Sequence, residues 1–576
     1  MIVSRLPHLR TAMSPLRTLP GRLLLAAPFL FAACKGTEQP PAAVAGPADI
    51  GGTIVISTPA DATTMNPLLV AGLTDRQVTD MLYDHLAEIG QDLNTIGDGG
   101  FIPQLALRWD WAKDSLSIAF HLNPNAKWHD GAPVRASDVR YSLKLVKDTA
   151  MGSPALPLVA NVDSISVRDS LTAVAFFHKR VPEEFYDLVY QVAIVPEHVL
   201  SNTPVAQLRT ADVGRRGIGS GRFRLAKWEP GSRIELVADT ANYRGRPRLD
   251  RVVYMLSPDA AGALARFMSG EADIYENIPP NQVGALSADS ARRLYRFPLL
   301  QYTYFVFNER DPKAPGAPHP IFGDLAVRRA LTMATDRRAM LKNVFDTLGK
   351  PLYGPFPKAL LVADTLLPQI PYDTAKARAL LDSAGWLMQP DGVRAKAGKR
   401  LAFTISTPSS STFRHAYAVL LQESFRKVGA DVKLDESDFA GYMAKLGTHK
   451  FDTEMGNFST DPSVSGLKQS WTSSGMGPDG SNYYSYANPV ADAYLDSATN
   501  AFDLARQKSY SRHAFETIIN DAPAIWLYEP PTIVGVSKRI HVTKLRADQY
   551  FSGMSDWWIP AGERTARDKI GLRPTP

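Results

Sequence analysis

The sequence predicts an α/β protein built from two large lobes. Its 576 residues exceed the roughly 250–300 residues at which a single hydrophobic core stops growing. Segments typical of strands alternate with segments typical of helices through both halves of the chain, as in doubly wound α/β folds. The composition is 45% hydrophobic and 21% charged, which is globular and excludes a collagen-like, coiled-coil or polytopic membrane chain.

The predicted elements follow from hydrophobic periodicity and from turn and cap residues. A β-branched run at 51–57 predicts the first strand, and the turn-rich residues 58–67 predict the loop after it. Apolar residues at helical spacing predict a helix at 74–86, and Ser137 or Asp138 is the expected cap of the next helix. The further predicted strands are 117–122, 223–228, 233–237, 301–307 and 401–406, and the further helices are 139–147, 260–268, 324–335, 337–345, 374–384 and 414–428.

The charge distribution argues against nucleic acid as a partner. The formal net charge is +6, but the first 33 residues hold four arginines and no acid, so the rest of the chain carries only +2. A nucleic-acid binder is expected to carry a basic stripe interleaved with aromatic side chains. We find no such stripe in the sequence and predict no nucleic-acid partner.

The N-terminal segment predicts an exported protein held by a lipid. An apolar run at 23–33 has 11 residues, about half of the roughly 20 needed to cross a bilayer, and is typical of a signal peptide. Cys34, the only cysteine of the chain, follows two alanines and precedes a Pro/Ala/Gly-rich segment. This arrangement resembles a bacterial lipobox, with Phe31 where that motif usually has Leu. We expect a signal peptide at 1–33 and a tether at 34–50 that is lipid-anchored through Cys34; an ordinary cleaved signal is the alternative.

Several short motifs follow one another along the chain in a specific order. They are LALRW at 105–109, KWHDGAPVRASDV at 127–139, GSGRFRL at 219–225, WEPG at 228–231, SGEADI at 269–274, VRRALTMATDR at 327–337 and SNYYSYANP at 481–489. Together they resemble the family 5 extracellular solute-binding proteins, the peptide and nickel receptors of ABC importers.

The resemblance implies a two-lobed type II periplasmic-binding-protein fold with an extra inserted subdomain in lobe I. A solute would bind between the lobes, and short hinge segments would let the lobes close on it. It also implies permease subunits of an ABC transporter as partners, a monomer, and membrane contact only through the lipid. The expected divisions are lobe I at 51–298, its inserted subdomain at about 75–216, lobe II at 299–530, and a return to lobe I and a C-terminal tail at 531–576.

Catalytic and metal-binding patterns are weak in this sequence. Ser424 and Lys427 have the spacing of a serine-x-x-lysine motif, but the companion motifs of that enzyme class do not follow. His129 and Asp130 lie in a predicted turn, and the 11 histidines show no metal-ligand spacing. We therefore predict a binding protein without catalysis, cofactor or metal; a secreted lipoprotein hydrolase is the alternative from another class.

A peptide ligand needs polar partners, a carboxylate for its amine and a cation for its carboxylate, and the sequence offers candidates for each. The loop after the first strand offers Asp61 and Thr63. Tyr302 and Tyr304 alternate on one strand and could form a wall of the site. A cation at a helix N-terminus is suited to bind an anion. Arg414 and His415, at the start of the helix predicted at 414–428, are therefore candidates for binding the carboxylate of the ligand.

The richest candidate segment is 455–463. In peptide-binding relatives, the resemblance implies, an Asp in this segment pairs with the ligand's α-amine and an Asp-Pro follows it. Here Asp461 matches the second element, and Phe458 stands at the amine-binding position. Either Asp461 has taken that role or the ligand lacks a free amine, as an opine, a glycoside or a metal chelate would. The other candidates in this region are Asn457, Trp471, Asn482 and Tyr483.

Overall fold

The computed structural model describes residues 49–70, 72–314, 316–477 and 480–572. Cys34, the predicted signal peptide and nearly all of the predicted tether lie outside these residues. The described strands are β1 (Thr53–Thr58), β2 (Ala87–Glu88), β3 (Ile102–Pro103), β4 (Ala106–Trp111), β5 (Ser117–Leu122), β6 (Val162–Asp169), β7 (Thr172–Phe177), β8 (Phe223–Glu229), β9 (Arg233–Ala238), β10 (Arg251–Leu256), β11 (Ile274–Tyr275), β12 (Arg292–Arg296), β13 (Gln301–Phe307), β14 (Lys350–Pro351), β15 (Leu387–Met388), β16 (Arg394–Lys396), β17 (Lys399–Arg400), β18 (Ala402–Pro408), β19 (Asp431–Ser437), β20 (Thr453–Ser459), β21 (Ala524–Glu529) and β22 (Ile533–Ser537).

Many helices begin at a side chain that accepts a hydrogen bond from the first turn. Asp259, Asp373 and Ser411 each accept from a backbone N–H of the helix that follows, which satisfies a donor that has no partner within the helix. No helix of the described residues is long and apolar enough to cross a membrane. The α-helices are α1 (Leu73–Leu82), α2 (Ala136–Lys147), α3 (Glu184–Val189), α4 (Glu197–Leu200), α5 (Ala260–Ser269), α6 (Pro280–Ala288), α7 (Leu325–Met333), α8 (Arg337–Phe345), α9 (Thr374–Ser383), α10 (Thr412–Arg426), α11 (Phe439–Gly447), α12 (Ser465–Trp471), α13 (Pro489–Thr499) and α14 (Leu504–Asp521).

The first sheet has seven strands in the order β12-β22-β11-β1-β10-β9-β8. Strand β1 is central and pairs in parallel with β10 and β11. It is buried along its whole length, which explains its uninterrupted β-branched sequence. Strand β22 pairs antiparallel with both β11 and β12, so the end of the chain completes a sheet that its beginning starts.

The second sheet has six strands in the order β14-β21-β13-β20-β18-β19. Strand β18 runs parallel to β19 and β20, while β13 is antiparallel to β20 and β21. The chain enters this sheet between Arg296 and Gln301 and leaves it between Glu529 and Ile533. Two connections of three or four residues therefore join the two sheets. The two connections lie close together, since both line one cavity of about 90 Å³.

A separate four-stranded sheet, in the order β4-β5-β7-β6, lies in sequence between β1 and β8. One continuous hydrophobic core includes Ile54 of the first sheet, Phe120 of the four-stranded sheet and Tyr304 of the second sheet. A second core, which includes Phe305 and Phe403, fills the opposite face of the second sheet. Alternate residues of β13 thus belong to different cores, as the period of two in a strand requires.

Two of the predicted helix ends in the first half differ from the structure. The helix predicted at 74–86 ends at Leu82, because the carbonyl of Leu82 accepts from the N–H of Gly221 at 2.8 Å and the chain continues in extended conformation from Tyr83. Helix α2 begins at Ala136, so neither Ser137 nor Asp138 is its cap residue. Asp138 lies in the first turn instead and accepts from the N–H of Arg135 at 2.8 Å.

The C-terminal segment is bound to the start of β1. Asp568 accepts from the N–H of Thr53 at 2.6 Å and pairs with Arg539 at 2.9 Å. Arg539 also pairs with the buried Asp273 at 2.7 Å. This network joins both ends of the folded chain to the loop that precedes β11.

Candidate functional site

Two cavities meet at Asp461, and we call them together the cleft. One has a volume of about 470 Å³ and is lined by Pro157, Asp187, Ser463 and Lys468 among others. The other has about 230 Å³ and lies between residues of α1, residues 186–191, residues 548–551 and residues 460–462. Asp461 lines both. Residues from both ends of the sequence and from its middle therefore surround this carboxylate.

Asp461 is held by a turn that follows the end of β20. The N–H of Thr460 donates to the carbonyl of Leu300 at 2.8 Å, which fixes the chain beside the entry to the second sheet. One carboxylate oxygen of Asp461 then accepts from the N–H of Ser463 at 2.9 Å, an Asx-turn that suits the Asp-Pro sequence. The other oxygen lies 3.5 Å from Nε2 of Gln191. No Lys or Arg of the described residues forms an ion pair with it.

Glu183 joins the segment before α3 to the segment after β20. One of its carboxylate oxygens accepts from the hydroxyls of Ser463 at 2.6 Å and Ser465 at 2.7 Å. Its other oxygen accepts from the hydroxyl of Thr95 at 2.9 Å. The side chain is buried, so these three bonds to a charged acceptor are shielded from water and strong. We call this group, Glu183 with Ser463 and Ser465, the serine latch.

The cleft has an acidic character. Burial, and then the neighbouring charge of Glu183, raise the pKa of Asp461 to about 7, while the N–H of Ser463 and the charge of Arg76 act in the opposite direction. Burial likewise raises the pKa of Asp187 well above its usual range, with Glu183, Asp461 and Glu184 adding to the effect. Carboxylates that are close together and buried cannot all ionise easily. A cation placed among them would be strongly favoured.

The smaller cavity also has a polar wall. Arg76 forms an ion pair with Asp80 at 3.3 Å. The hydroxyl of Tyr190 donates to Asp548 at 2.8 Å, and Nε2 of Gln191 donates to the hydroxyl oxygen of Tyr186 at 2.7 Å. Hydrogen-bonded side chains of this kind can orient a ligand, but most of their polar atoms already have partners within the protein.

Tyr302, Tyr304 and Trp471 lie in a buried aromatic cluster. The hydroxyl oxygen of Tyr302 accepts from Nε1 of Trp471 at 2.9 Å, and both side chains are fully buried. Trp471 also contacts Tyr304, with ring centroids 5.5 Å apart, and Trp526 at 4.9 Å. Three residues predicted to contact a ligand are thus part of the core in this structure.

Asp61 and Thr63 are used to fix the loop after β1. Asp61 accepts from Nε1 of Trp228 at 3.1 Å and from the N–H of Gly231 at 2.6 Å, which ties the loop to the β8–β9 hairpin. The N–H and the hydroxyl of Thr63 both donate to Asp75. Neither residue lines the cleft cavities.

Arg414 and His415 lie at the start of α10 and do not line the cleft cavities. Arg414 is half-buried over the ring of Tyr442, 5.6 Å from its centroid, and its guanidinium donates to the carbonyl of Met455 at 3.4 Å. Burial raises the pKa of the adjacent Glu454 to about 7, and Arg414 acts in the opposite direction. His415 is exposed and contacts Glu436 at 2.7 Å.

The remaining candidates also have partners within the protein. The amide of Asn457 donates to the hydroxyl oxygen of Thr303 at 2.8 Å, and Phe458 contacts the ring of Tyr302 at 5.8 Å. The amide of Asn482 donates to the backbone carbonyls of Thr472 and Tyr486 and accepts from the N–H of Tyr486. The backbone carbonyl of Tyr483 contacts His449. Asp461 is thus the one predicted ligand residue that lines the described cleft cavities.

Sequence reasoning missed the residues that face Asp461. Glu183, Asp187 and Gln191 lie about 270 residues earlier in the chain, in a segment without a recognised motif. The only local signal is an acidic sequence, PEEFYD, at the start of a short helix. Such a sequence alone indicates a solvated helix start and gives no reason to expect a binding site.

The predicted turn around His129 has a structural role. One ring nitrogen of His129 lies 2.9 Å from the carbonyl of Gly221, and the other accepts from the N–H of Gly219 at 3.1 Å. The hydroxyl of Ser424 donates to the carbonyl of Leu420 at 2.9 Å. In the part of the chain that the structure describes, no group of three or more His, Cys, Asp or Glu residues is placed to hold a metal ion.

Comparison with known proteins finds similarity to one family of solute-binding proteins. The model of the bacterial extracellular solute-binding proteins, family 5 middle, matches residues 100–479. The oligopeptide-binding protein AppA of Bacillus subtilis (strain 168) is 27% identical over 559 residues, which cover 93% of this chain and 97% of AppA. The probable D,D-dipeptide-binding periplasmic protein DdpA of Escherichia coli (strain K12) is 25% identical over 528 residues, which cover 89% of this chain and 95% of DdpA.

Solved structures have the same fold. AppA from Bacillus subtilis in complex with a nonapeptide superposes with a TM-score of 0.73 at 25% identity, over 88% of this chain and 99% of that one. NikZ from Campylobacter jejuni in complex with Ni(L-His) superposes with a TM-score of 0.72 at 22% identity, again over 88% and 99%.

Proposed function

The chain belongs to the family 5 bacterial extracellular solute-binding proteins, and from this we propose that it is the receptor of an ABC importer and binds peptides in the cleft. The similarity to AppA, an oligopeptide-binding protein, extends over nearly the whole of both chains. The AppA structure of the same fold contains a nonapeptide. As a receptor it would deliver its ligand to permease subunits and have no catalytic activity of its own.

The observation that carries the proposal is the position of Asp461. Its carboxylate lines both cavities of the cleft and has no cationic partner among the described residues, while burial and Glu183 raise its pKa. The α-ammonium group of a peptide would supply the missing charge and form a charge-assisted hydrogen bond with the half-buried carboxylate. We propose Asp461 as the amine-binding residue, with Asp187 and Gln191 beside it.

The test is calorimetry of the wild type and of Asp461→Asn with a peptide library and with the N-acetylated forms of the peptides that bind. Removal of one partner of a buried ion pair costs about 2–4 kcal/mol, so affinity for the free peptides should fall by a factor of roughly 30–1000. Asp431→Asn is the matched control, because Asp431 is exposed on β19 and its substitution changes the net charge equally. If no peptide of any length binds the wild type, the peptide proposal fails.

A second candidate is a receptor for a solute without a free amine, such as an opine, a glycoside or a metal chelate. Phe458 favours it, because this residue occupies the position where peptide-binding relatives are expected to have an Asp. In that case Asp461→Asn should leave affinity nearly unchanged and N-acetylation should be tolerated. Mass spectrometry of small molecules that co-purify with the natively expressed protein would identify such a ligand directly.

The predicted attachment to a membrane remains part of the proposal. The family is extracellular, and the apolar run before Cys34 supports export and lipid modification at that residue. We propose that the protein is a monomer and that the lipid is its only contact with the membrane. We also propose that the four-stranded sheet is the inserted subdomain. Two or more acyl chains hold a protein at a bilayer stably.

A further inference from the structure

The second sheet carries a cavity that has no part in the cleft. It has a volume of about 690 Å³ and lies between the start of α8, residues 351–353, residues 369–372 and strand β21. None of its lining residues lines either cleft cavity. Its volume is within the range of small-molecule sites, about 300–1,000 Å³.

The wall formed by α8 is strongly positive. Arg337, Arg338 and Lys342 all line the cavity, and none of them forms an ion pair with a carboxylate of the described residues. The single acidic residue of the lining is Asp336, which caps α8 by accepting from the N–H of Ala339 at 2.9 Å. Arg337 and Arg338 lie at the N-terminal end of α8, where the backbone adds a further positive potential, and Lys342 lies in the last turn of the same helix.

Arg337 is half-buried and has only neutral partners. Its guanidinium donates to Oε1 of Gln369 at 3.0 Å and to the carbonyl of Trp526 at 3.3 Å. Burial, and then the charge of Arg338, lower the pKa of Arg337. Gln369 is itself held by the carbonyls of Tyr353 and Leu367, so the guanidinium is fixed in place before any ligand arrives. Partial burial of a cation without a counter-charge is unfavourable, and a bound anion would offset it.

The other walls of the cavity are apolar and aromatic. Tyr353, Ile370, Tyr372 and Trp526 line it, and Tyr372 is 54% exposed, so its ring is free to cover a ligand. Flat apolar groups bind well between aromatic side chains, and arginine also stacks on aromatic faces. Apolar walls with one positively charged end suit a molecule that has an apolar body and one acidic group.

We propose that this cavity is a second ligand site, which binds a small organic anion with a planar apolar body through Arg337, Arg338 and Lys342. The site is independent of the proposed peptide receptor function, because it uses none of the cleft residues. The anionic group, a carboxylate, phosphate or sulfonate, lies against Arg337 at the start of α8. The planar body lies between Tyr372 and Ile370.

The test uses two fluorescent probes that differ in charge: 8-anilinonaphthalene-1-sulfonate, and the neutral N-phenyl-1-naphthylamine. The variant is Arg338→Gln/Lys342→Gln, because both side chains are exposed and their replacement leaves the bonds of Arg337 intact. The matched control is Lys399→Gln/Lys433→Gln, which removes two equally exposed charges elsewhere in the second half of the chain. Circular dichroism and thermal unfolding verify that all three proteins are folded.

The wild type should bind the sulfonate with a stoichiometry of one. The variant should bind it about tenfold more weakly, a loss of about 1.4 kcal/mol in binding free energy. The control should bind it as the wild type does, and the neutral probe should not distinguish the proteins. Equal sulfonate affinity in wild type and variant, or equal loss in variant and control, would overturn the proposal. So would loss of sulfonate binding in Asp461→Asn, since it would place the probe in the cleft.

Discussion

Glu183 accepts a hydrogen bond of 2.6 Å from the hydroxyl of Ser463, 280 residues further along the chain. Glu183 precedes α3, whereas Ser463 follows β20 of the second sheet. The same carboxylate oxygen accepts from Ser465. The serine latch therefore adds a hydrogen-bonded link between these segments, beside the two short connections between the sheets and the core that the sheets share.

We expect Glu183→Gln to open the cleft in the absence of ligand. The substitution replaces a charged acceptor with a neutral amide, and bonds to a charged group contribute about 1.5–3 kcal/mol each. Small-angle X-ray scattering should show a larger radius of gyration for the variant, and ligand affinity should fall. Glu423→Gln, which removes an exposed carboxylate paired with Arg426, is the control. An unchanged radius of gyration in Glu183→Gln would show that the latch does not hold the cleft closed.

Opening should also depend on pH. Asp461 has a pKa of about 7 in this structure, whereas a solvated Asp in an open cleft titrates near 3.9. The closed arrangement thus binds more protons between these values, and Asp187 acts in the same direction. The unliganded protein should open as pH rises from about 4 to 7, without further change from Asp461 above that range.

Scattering or energy transfer between two attached dyes would follow this transition. Asp461→Asn should reduce the pH dependence of opening, since the amide does not titrate. The charged groups that face this position, Glu183, Asp187 and Arg76, would determine the pH dependence that remains. A protein that opens towards low pH, or whose opening is unaffected by Asp461→Asn, would contradict this assignment.

Trp471→Phe should reduce stability, since it leaves the buried hydroxyl of Tyr302 without its donor. An unpaired buried polar group costs about 1–3 kcal/mol, which chemical denaturation can measure. Tyr302→Phe in the same protein should recover part of the loss, because both partners are then absent. If Trp471→Phe instead weakens ligand binding without any loss of stability, Trp471 contacts the ligand as the sequence predicted.

Cys34→Ala should release the protein from the membrane without altering its fold. The described part of the chain begins at residue 49, so loss of the thiol should leave its thermal unfolding unchanged. The wild type should incorporate labelled palmitate and partition into detergent, while the variant should remain in the aqueous phase. Absence of label from the wild type would mean an ordinary cleaved signal peptide.

Local sequence signals were sufficient for much of the fold. Strand β13 and helix α8 have the predicted bounds, 301–307 and 337–345, because alternation and a capping Asp336 are encoded within a few residues. The matches to solved structures confirm the predicted α/β fold of the solute-binding type. The end of α1 could not be predicted, since it depends on Gly221, which lies about 140 residues away.

The site was predictable only in part for the same reason. Asp461 could be found from its Asp-Pro sequence and its place in a family motif. Its neighbours Glu183 and Asp187 belong to a distant segment, and their proximity is produced by folding. Conversely, Trp471 and Asn482 have the chemistry of ligand-binding residues, yet their polar groups bond within the core. Residue type alone does not distinguish these two uses.

Strand β22 belongs to the first sheet but is synthesised after the whole of the second sheet. This limits the order in which the two sheets can be completed during synthesis. A chain that emerges N-terminus first presents β11 and Asp273 long before Arg539, the partner of Asp273, which lies 266 residues later. Strands β13, β14 and β18–β21 form a complete second sheet without any residue beyond Glu529. The second sheet can therefore reach its native pairing while the first still has an open edge, and contacts of such long sequence separation slow the final step. A nascent chain that ends before residue 533 would combine a complete second sheet with an incomplete first sheet. The unpaired edge of the first sheet is where aggregation or binding by a chaperone would begin.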